Sequence, residues 1–289
     1  MRFFISDVFA DSRYRGNQLA TFLDCADLSG KEMQAIAREV NFSETTFVVS
    51  NEERDGCYDV RIFTPKSELP FAGHPTLGTA FVIRNEVIKR KAKRIVLRLG
   101  VGEVPVTFAD DGLAWMRQPP PEFGRTYDAK PIADMLSLKA DEIDANCPIL
   151  EVSTGVPFLI VPLGEKDSMG KIKVDAECMS DLLSNAWAQA PLVFAKGGQE
   201  KGQDLSVRVF PALHGIAEDA ATGSGNGCLA AYLSRTRYLG SEKVDATVGQ
   251  GYEMGRPSTL HLRASPTKLG IKVEVGGKVQ SVAEGTWPV

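Results

Sequence analysis

The chain has 289 residues, of which 43% are apolar and 24% are charged, and its formal net charge at pH 7 is -4. This length suffices to bury a core and to divide into two lobes. The weakly acidic balance argues against a broad basic surface for nucleic acid, and no apolar run approaches the length that crosses a bilayer. The first residues do not resemble a secretory signal, so we expect a cytoplasmic protein with no membrane or nucleic-acid partner.

The cysteines and histidines do not form a pattern typical of a disulfide framework or a zinc site. The five cysteines are irregularly spaced and include no CxxC pair, and none of the three histidines belongs to an HExxH motif. We therefore expect separate, reduced thiols and no metal site.

In the first part of the chain, strand patterns are interrupted by one amphipathic helix. Ser29 opens this helix, Glu32 completes a capping box, and the helix is predicted to end near Asn41. Glu44 then stands at the junction with the following strand rather than on a solvated helical face. Further strands of this part are predicted at residues 2–9, 17–23, 59–64, 94–99, 103–108 and 113–117.

The composition changes after these strands. Three consecutive prolines at 119–121 stop regular structure, and residues 119–147 are interpreted as a connector that holds a short helical piece at 132–136. Beyond the connector, the pattern predicts a helix at 179–187 and strands at 149–152, 157–163, 191–195 and 205–210.

Two glycine-rich turns each lead into a run of small and apolar residues that is typical of a buried helix. The first, ELPFAGHPTLGTAFVI, spans residues 68–83, and the second, GSGNGCLAAYL, spans residues 223–233. Similar strand patterns, VRIF and VRVF, precede them. Such a turn directs backbone N–H groups and a positive helix end towards one space, which suits a carboxylate or a developing oxyanion.

The order of elements in the first half is repeated in the second. The same interval separates Val60 from Val207 and Phe47 from Phe194. This regularity predicts an α+β fold of two pseudo-symmetric lobes of one repeated unit, each a strand-rich sheet around a central helix. The lobes are expected at residues 1–118 and 148–289, and the last strand could pack back on the first lobe. We expect both glycine turns to open into one cleft.

The acidic residues break this repeat. At the same interval Glu44 falls on Pro191, so the first lobe alone carries that carboxylate. Glu218 and Asp219 stand before the second turn, where the first copy is expected to present Leu69 and Pro70, so the second lobe alone is expected to bring acids there. Asymmetric acids on a repeated scaffold favour proton transfer at one centre.

Three segments resemble the signature segments of the PhzF-like isomerases, which share the diaminopimelate epimerase fold. They are NFSETTFV at 41–48, RIFTPKSELPFAGHPTLGTA at 61–80 and EDAATGSGN at 218–226. The resemblance covers nearly the whole chain in matching order and spacing. It implies a homodimeric isomerase that moves a proton between carbon atoms of a small amino or hydroxy acid by general acid-base catalysis, without metal or coenzyme.

The resemblance also implies residue roles. Glu44 matches the proton-shuttling glutamate of the family, and His74 and Asp219 match further catalytic positions. The positions expected to bind a substrate that carries a carboxylate are Ser43, Gly73, Gly223 and Ser224. Asp219 could instead cap the helix that follows it.

Two alternative functions remain open at this point. A two-base amino-acid racemase or epimerase of the same fold would need a cysteine in each glycine turn, whereas the turn positions hold alanine and glycine, and Cys228 lies inside the predicted helix. A non-catalytic small-molecule-binding paralogue would keep the cleft without turnover. The joint presence of Glu44, His74 and Asp219 argues against that second alternative.

Overall fold

The computed structural model describes residues 1–90 and 92–288 of the chain. Contacts between Cα atoms group the chain into two compact units. The first comprises Met1–Arg117 together with Gly276–Val289, and the second comprises Gln118–Val275. Both units combine strands with a few helices, which confirms the predicted α+β class.

Most of the regular structure is strand. The strands of the described residues are β1 (Arg2–Val8), β2 (Asn17–Phe22), β3 (Glu44–Val48), β4 (Tyr58–Phe63), β5 (Glu68–Leu69), β6 (Arg94–Leu99), β7 (Gly102–Phe108), β8 (Ala114–Arg117), β9 (Glu122–Tyr127), β10 (Ile149–Ser153), β11 (Pro157–Pro162), β12 (Pro191–Lys196), β13 (Leu205–Val209), β14 (Val244–Gln250), β15 (Ser258–Thr267), β16 (Gly270–Gly277) and β17 (Val279–Thr286). The α-helices of the described residues are α1 (Gly30–Val40), α2 (Gly73–Val82), α3 (Ala129–Met135), α4 (Ala176–Leu183) and α5 (Gly223–Thr236).

The pairing of the strands follows the same order in the two units. In the first unit β1–β2 is antiparallel, β2–β3 parallel, β3–β4 antiparallel, β4–β6 parallel and β6–β7 antiparallel. The second unit repeats this alternation of antiparallel and parallel pairs in the same order. Its pairs are β10–β11, β11–β12, β12–β13, β13–β14 and β14–β15. The internal repeat predicted from the sequence is therefore a repeat of sheet topology.

Strands β17 and β9 extend the two sheets. β17 pairs antiparallel with β1, so the C-terminal strand belongs to the first unit. β9 pairs antiparallel with β10 in the second unit. Residues 119–147, interpreted above as a connector, thus contain a sheet strand and helix α3, because the extended chain that resumes after the prolines finds an open strand edge at β10.

The central helix of each unit is buried. All residues of α2 except Phe81 are buried, and α5 is buried over nearly its whole length. Helices that are apolar on every side must be enclosed by protein. Gly78 shows how closely α2 approaches its sheet, since a Cβ atom there would lie 2.5 Å from Leu19 Cδ2 and 2.8 Å from Val8 Cγ2.

Capping side chains fix where the outer helices α1 and α4 begin. The capping box of α1 is confirmed, because Ser29 and Glu32 exchange side-chain-to-backbone hydrogen bonds of 2.8 and 3.3 Å. Helix α4 begins at Ala176 rather than at residue 179, because the Asp175 carboxylate caps it by accepting from two backbone N–H groups. None of the described helices is long and apolar enough to span a membrane.

Candidate active site

The first glycine turn leads directly into α2. Ala72 precedes the helix in an extended conformation, and Gly73 and His74 form its first two positions, both buried. Since alanine offers no capping oxygen, the N–H groups of the first turn are not capped by the residue that precedes the helix. The positive end of the helix dipole adds to their attraction for an anion.

Glu44 and His74 lie beside each other in the first unit. Glu44 opens β3, and its Oε2 lies 3.5 Å from Nε2 of His74. Their side chains are largely withdrawn from solvent, with exposed fractions of 14% for Glu44 and 4% for His74. The fold thus brings together two residues that the resemblance assigns to catalysis.

Burial decides the charge of His74. Desolvation lowers the pKa of its imidazole to about 3, while hydrogen bonding to the Gln18 backbone acts in the opposite direction. The ring is therefore uncharged at neutral pH, and its approach to Glu44 is a polar contact rather than an ion pair. Among the described residues, His74 Nε2 has no hydrogen-bond partner.

A short polar network reaches the other nitrogen of this ring. Ser43 Oγ donates to Asn17 Oδ1 over 3.2 Å, and Asn17 Nδ2 lies 3.3 Å from His74 Nδ1. Asn17 opens β2 and is only 4% exposed. The sequence analysis missed Asn17; its only local signal is a polar residue that follows a glycine at the start of a strand.

In the second unit, Asp219 lies in a network of side-chain hydrogen bonds. Its Oδ2 accepts a 2.6 Å hydrogen bond from the Thr222 hydroxyl, and its backbone carbonyl accepts from Gln250 Nε2 over 2.9 Å. Gln250 Nε2 also lies 3.0 Å from the Thr222 hydroxyl. Thr222, not Asp219, occupies the N-cap position of α5, and it makes no side-chain cap hydrogen bond. The capping role considered for Asp219 is therefore wrong, and Thr222 and Gln250 are further residues that the sequence analysis missed.

Gly223 and Ser224 form the first turn of α5, as Gly73 and His74 do in α2. Ser224 is buried, and the Gly223 carbonyl accepts a 2.9 Å hydrogen bond from Gln118 Nε2. Gln118 also explains the glycine at position 227, because a Cβ atom there would overlap the Gln118 side-chain amide. The predicted substrate-binding roles of Gly73, Gly223 and Ser224 stay predictions.

Each unit contains its own Arg–Glu ion pair, and these two pairs correct one expectation. Arg208 binds Glu218 through two hydrogen bonds of 2.7 and 2.8 Å, and Arg61 binds Glu68 through two of 2.7 Å.

The backbone places these pairs at equivalent positions. Leu69 pairs with Ile62 of β4, and Asp219 pairs with Val209 of β13, so Glu68 and Glu218 correspond. The expectation that only the second lobe brings acids to this region is wrong for Glu218, and it holds for Asp219 alone.

Cys228 is buried in α5. Its thiol lies 3.5 Å from the Thr154 hydroxyl and 3.4 Å from the Val156 carbonyl, and burial raises its pKa to about 12. A thiol with this pKa is not a proton-transfer base at neutral pH. Within the part of the chain that the structure describes, no three His, Cys, Asp or Glu side chains are grouped as a metal site requires.

Comparison with known proteins agrees with this picture. A family model described as phenazine biosynthesis-like protein, PhzC-PhzF, matches residues 6–285. A trans-2,3-dihydro-3-hydroxyanthranilate isomerase from Pseudomonas aeruginosa is 36% identical over 293 residues, which cover 98% of each chain. The expectation of an isomerase is thus confirmed.

Solved structures extend the likeness to the fold. A PhzF family protein from Bacillus anthracis, 24% identical, matches with a TM-score of 0.90 and covers 100% of this chain and 99% of its own. A probable proline racemase from Agrobacterium radiobacter K84 is only 9% identical but gives a TM-score of 0.60 over 100% of this chain and 93% of its own, a likeness of fold alone. The predicted epimerase-like fold is confirmed, and the chain belongs to the phenazine biosynthesis-like protein family as one of its isomerases.

Proposed function

We propose that this protein isomerises a small amino or hydroxy acid by moving a proton from one carbon atom to another, through general acid-base catalysis and without metal or coenzyme. The observation that carries the proposal is the buried contact of 3.5 Å between Glu44 and His74 at the N-terminus of α2. It combines a carboxyl group, an uncharged imidazole and a helix end that favours anions.

In this mechanism Glu44 carries the proton. As a carboxylate it removes a proton from carbon, and as the resulting carboxylic acid it returns a proton to a different carbon, so that the enzyme regains its starting state. Nε2 of His74 lies 3.5 Å from this carboxyl group and packs against it. One positioned acid-base group supplies about 10² to 10⁴ in rate, so the charge that develops on the substrate must be stabilised as well.

That stabilisation is assigned to the turns at the ends of the two central helices. Gly73 and Gly223 are the first residues of α2 and α5, where backbone N–H groups lack an intrahelical partner. We propose that these turns, with Ser43 and Ser224, bind the substrate carboxylate or the developing oxyanion. Asp219, fixed by the Thr222 hydroxyl, is proposed as the second acid-base group.

The proposed substrate class follows from this chemistry. A helix N-terminus selects an anion, and Glu44 requires a carbon-bound proton that a neighbouring unsaturated or carboxylate group acidifies. The name of the Pseudomonas aeruginosa relative specifies trans-2,3-dihydro-3-hydroxyanthranilate. We propose a compound of this kind, an amino or hydroxy acid with a carboxylate, as the substrate here.

The experiment is incubation of the purified protein in D₂O with trans-2,3-dihydro-3-hydroxyanthranilate and with a panel of cyclic and acyclic amino and hydroxy acids, followed by NMR. We expect a positional isomer of one compound, with deuterium at the carbon that receives the proton. A folded protein that produces neither an isomer nor a carbon–deuterium bond from any compound would contradict the proposal.

The same experiment tests the alternatives. Inversion of configuration at one carbon, without transfer of the proton to another carbon, would indicate a racemase. The deeply buried, weakly acidic thiol of Cys228 does not favour that reaction. Saturable binding of a compound without any exchange would indicate a binding paralogue.

A further inference from the structure

We propose that Gln250 is a positioning residue for Asp219, and that it acts by fixing the direction of the hydrogen bond between the Thr222 hydroxyl and the Asp219 carboxyl group. The consequence for catalysis rests on the proposed function, in which Asp219 is the second acid-base group. The direction of the hydrogen bond can be measured independently of that function.

The orientation of the Gln250 side-chain amide is set by two backbone groups. Its Nε2 donates over 2.9 Å to the Asp219 carbonyl, which can only accept, and its Oε1 accepts a 3.2 Å hydrogen bond from the Thr222 N–H, which can only donate. Turning the amide over would place like groups against each other at both contacts. Gln250 is only 1% exposed, so solvent could not satisfy them instead.

The amide in turn sets the direction of the next hydrogen bond. Gln250 Nε2 also donates to the Thr222 hydroxyl oxygen, over 3.0 Å. Since an amide nitrogen cannot accept, the hydroxyl proton points away from Gln250, and Thr222 donates to Asp219 Oδ2 over 2.6 Å. A donated hydrogen bond favours the ionised form of a carboxyl group. Gln250 thus holds Asp219 in one orientation, as a carboxylate able to accept a proton.

Equivalent strand positions identify the counterpart of Gln250 in the first unit. Gln250 of β14 pairs with Val207 of β13, and the repeat partner of Val207 is Val60 of β4. β4 and β6 pair in parallel up to Arg98, so the same register places the next residue, Leu99, beside Val60. Leu99 therefore occupies the position of Gln250.

The glycine that follows each of these residues agrees with the alignment. A Cβ atom at Gly100 would lie 2.8 Å from Pro70 Cα, and one at Gly251 would lie 2.5 Å from the Ala220 carbonyl oxygen. Pro70 and Ala220 each stand three residues before the first glycine of their turn. Each unit thus packs the end of this strand against the same point of its own turn.

The first unit replaces every side chain of the network by an apolar one. The replaced residues are Asp219, Thr222 and Gln250, and their counterparts are, in the same order, Leu69, Ala72 and Leu99. Helix α2 nevertheless begins directly after its turn, as α5 does. The fold forms this turn without the polar side chains, so their joint presence in the second unit is explained by the site rather than by folding.

Neutron diffraction from crystals of the protein grown in D₂O at neutral pH measures the direction of the hydrogen bond without reference to turnover. We expect deuterium on Thr222 Oγ1, directed at Asp219 Oδ2, and two deuterons on the Gln250 nitrogen that faces the Asp219 carbonyl. Deuterium bound to Asp219 Oδ2 and directed at Thr222, or a Gln250 amide in the opposite orientation, would overturn the proposal whether or not any variant folds.

Gln250→Leu installs the residue of the first unit and tests the positioning role. We expect kcat to fall about 10- to 100-fold, the cost of a misplaced catalytic group, while KM changes less. In an Asp219→Asn background the same change should alter kcat by less than about 3-fold, because Gln250 acts through Asp219. Equal losses in the two backgrounds would indicate a merely structural role and would refute the proposal.

Two variants of Thr222 separate the hydroxyl from the bulk of the side chain. Thr222→Ser keeps the hydroxyl and should retain most of the activity, whereas Thr222→Val keeps only the shape and should lose as much activity as Gln250→Leu. Equal activity of the two Thr222 variants would contradict the network. Gln199→Leu, the same change as at position 250 but at an exposed position of the second unit, should leave the rate unaltered.

The two hypotheses fail in different ways. If no form of the protein isomerises any compound, the proposed function fails, and the neutron map still decides the direction of the hydrogen bond. If turnover requires Glu44 and Asp219 but is unchanged in Gln250→Leu, only the role of Gln250 is lost.

Discussion

Glu44 differs from the other acids near the glycine turns in its neighbour. Glu218 is paired with Arg208, and Asp219 accepts a hydrogen bond from the Thr222 hydroxyl. Glu44 faces instead an imidazole that burial keeps uncharged. A carboxyl group beside an uncharged imidazole can act as a base when ionised and as an acid when protonated.

Replacement of Glu44 by glutamine tests this difference. The amide keeps the shape of the side chain but cannot exchange a proton, so we expect kcat/KM to fall by about 10² to 10⁴ while the fold and ligand binding persist. Glu39→Gln, the same change on the exposed face of α1, is the matched control. Activity of Glu44→Gln within a few-fold of wild type would refute the assignment.

His74 should make stability depend on pH. Its pKa is lowered from 6.5 to about 3 in the folded protein, so between these values the unfolded chain binds a proton that the folded chain does not. Stability that is complete above pH 6.5 is therefore lost as the pH falls. The slope approaches about 1.4 kcal/mol per pH unit for this one group.

The measurement is urea unfolding of wild type and of His74→Gln between pH 7 and 5. We expect the free energy of unfolding of the wild type to fall more steeply over this interval, by up to about 2 kcal/mol in total. Parallel curves for the two proteins would show that His74 is not held uncharged by the fold.

At the scale of elements, the two equivalent ion pairs of the repeat allow the effect of burial on stability to be compared within one protein. The Arg208 and Glu218 side chains are 9% and 15% exposed, whereas the Arg61 and Glu68 side chains are 35% and 43% exposed. Desolvation makes an unpaired charge costly in the first case and cheap in the second.

We therefore expect Glu218→Gln to lower the free energy of unfolding by about 2 to 4 kcal/mol, since it removes the carboxylate that binds Arg208 through two hydrogen bonds and leaves the buried cation with Glu253 at 3.9 Å and the Met169 carbonyl at 2.7 Å. Glu68→Gln should cost no more than about 1 kcal/mol. Denaturant unfolding of both variants decides the matter, and equal losses would mean that burial does not distinguish the pairs.

Helix α2 offers a second test, in which packing opposes helix propensity. Alanine favours a helix interior over glycine by about 1 kcal/mol. At Gly78, however, its methyl group would overlap Leu19 and Val8, so we expect Gly78→Ala to destabilise the first unit by about 1 to 3 kcal/mol.

The control is Gly30→Ala at the start of α1, where the added atom meets the end of the partly exposed Arg61 side chain at 3.0 Å and no backbone atom within 4 Å is among its nearest contacts. Its stability should stay within about 0.5 kcal/mol of wild type. A Gly78→Ala protein as stable as this control would show that α2 can move away from its sheet at little cost.

At the scale of the whole molecule, the two ends of the chain meet in the first unit. β17 pairs with β1, and the N-terminal amine donates to the Trp287 carbonyl over 2.9 Å. The Trp287 ring packs edge-on against Phe3 and Phe22, at centroid distances of 5.8 and 5.4 Å. Residues from both ends thus complete one core.

Trp287→Ala should therefore lower the thermal midpoint and cost about 1 to 3 kcal/mol, although the residue is third from the C-terminus. Hydrogen exchange is expected to rise first in β1 and β17, because both strands lose the ring that covers their end. A variant with wild-type stability would show that the aromatic contacts contribute nothing beyond strand pairing.

Assembly is a separate proposal at this scale. We propose a homodimer, on the ground of the family to which the chain belongs. Sedimentation equilibrium of the purified protein tests it, with a mass of twice 31.3 kDa expected. The expectation that both glycine turns open into one cleft likewise stays a prediction.

Local and repeated patterns made much of the fold predictable from sequence. Capping signals placed α1, the VRIF and VRVF strands gave the interval of the repeat, and the glycine turns gave α2 and α5, because each signal acts between residues close in the chain. The signature segments named Glu44 and His74 through resemblance, but nothing local states that their side chains touch.

Only the tertiary structure decided the side-chain contacts and charges that depend on residues distant in the chain. The contact of Glu44 with His74, the approach of Asn17 to Nδ1 and the neutral charge of the ring all require β2, β3 and α2 to pack together, since burial is not a property of a residue alone. The equivalence of Glu68 and Glu218 could be counted in the sequence, because each stands five residues before the first glycine of its turn. Strand pairing aligns the same two residues, and the tertiary structure adds that each glutamate binds an arginine of the preceding long strand.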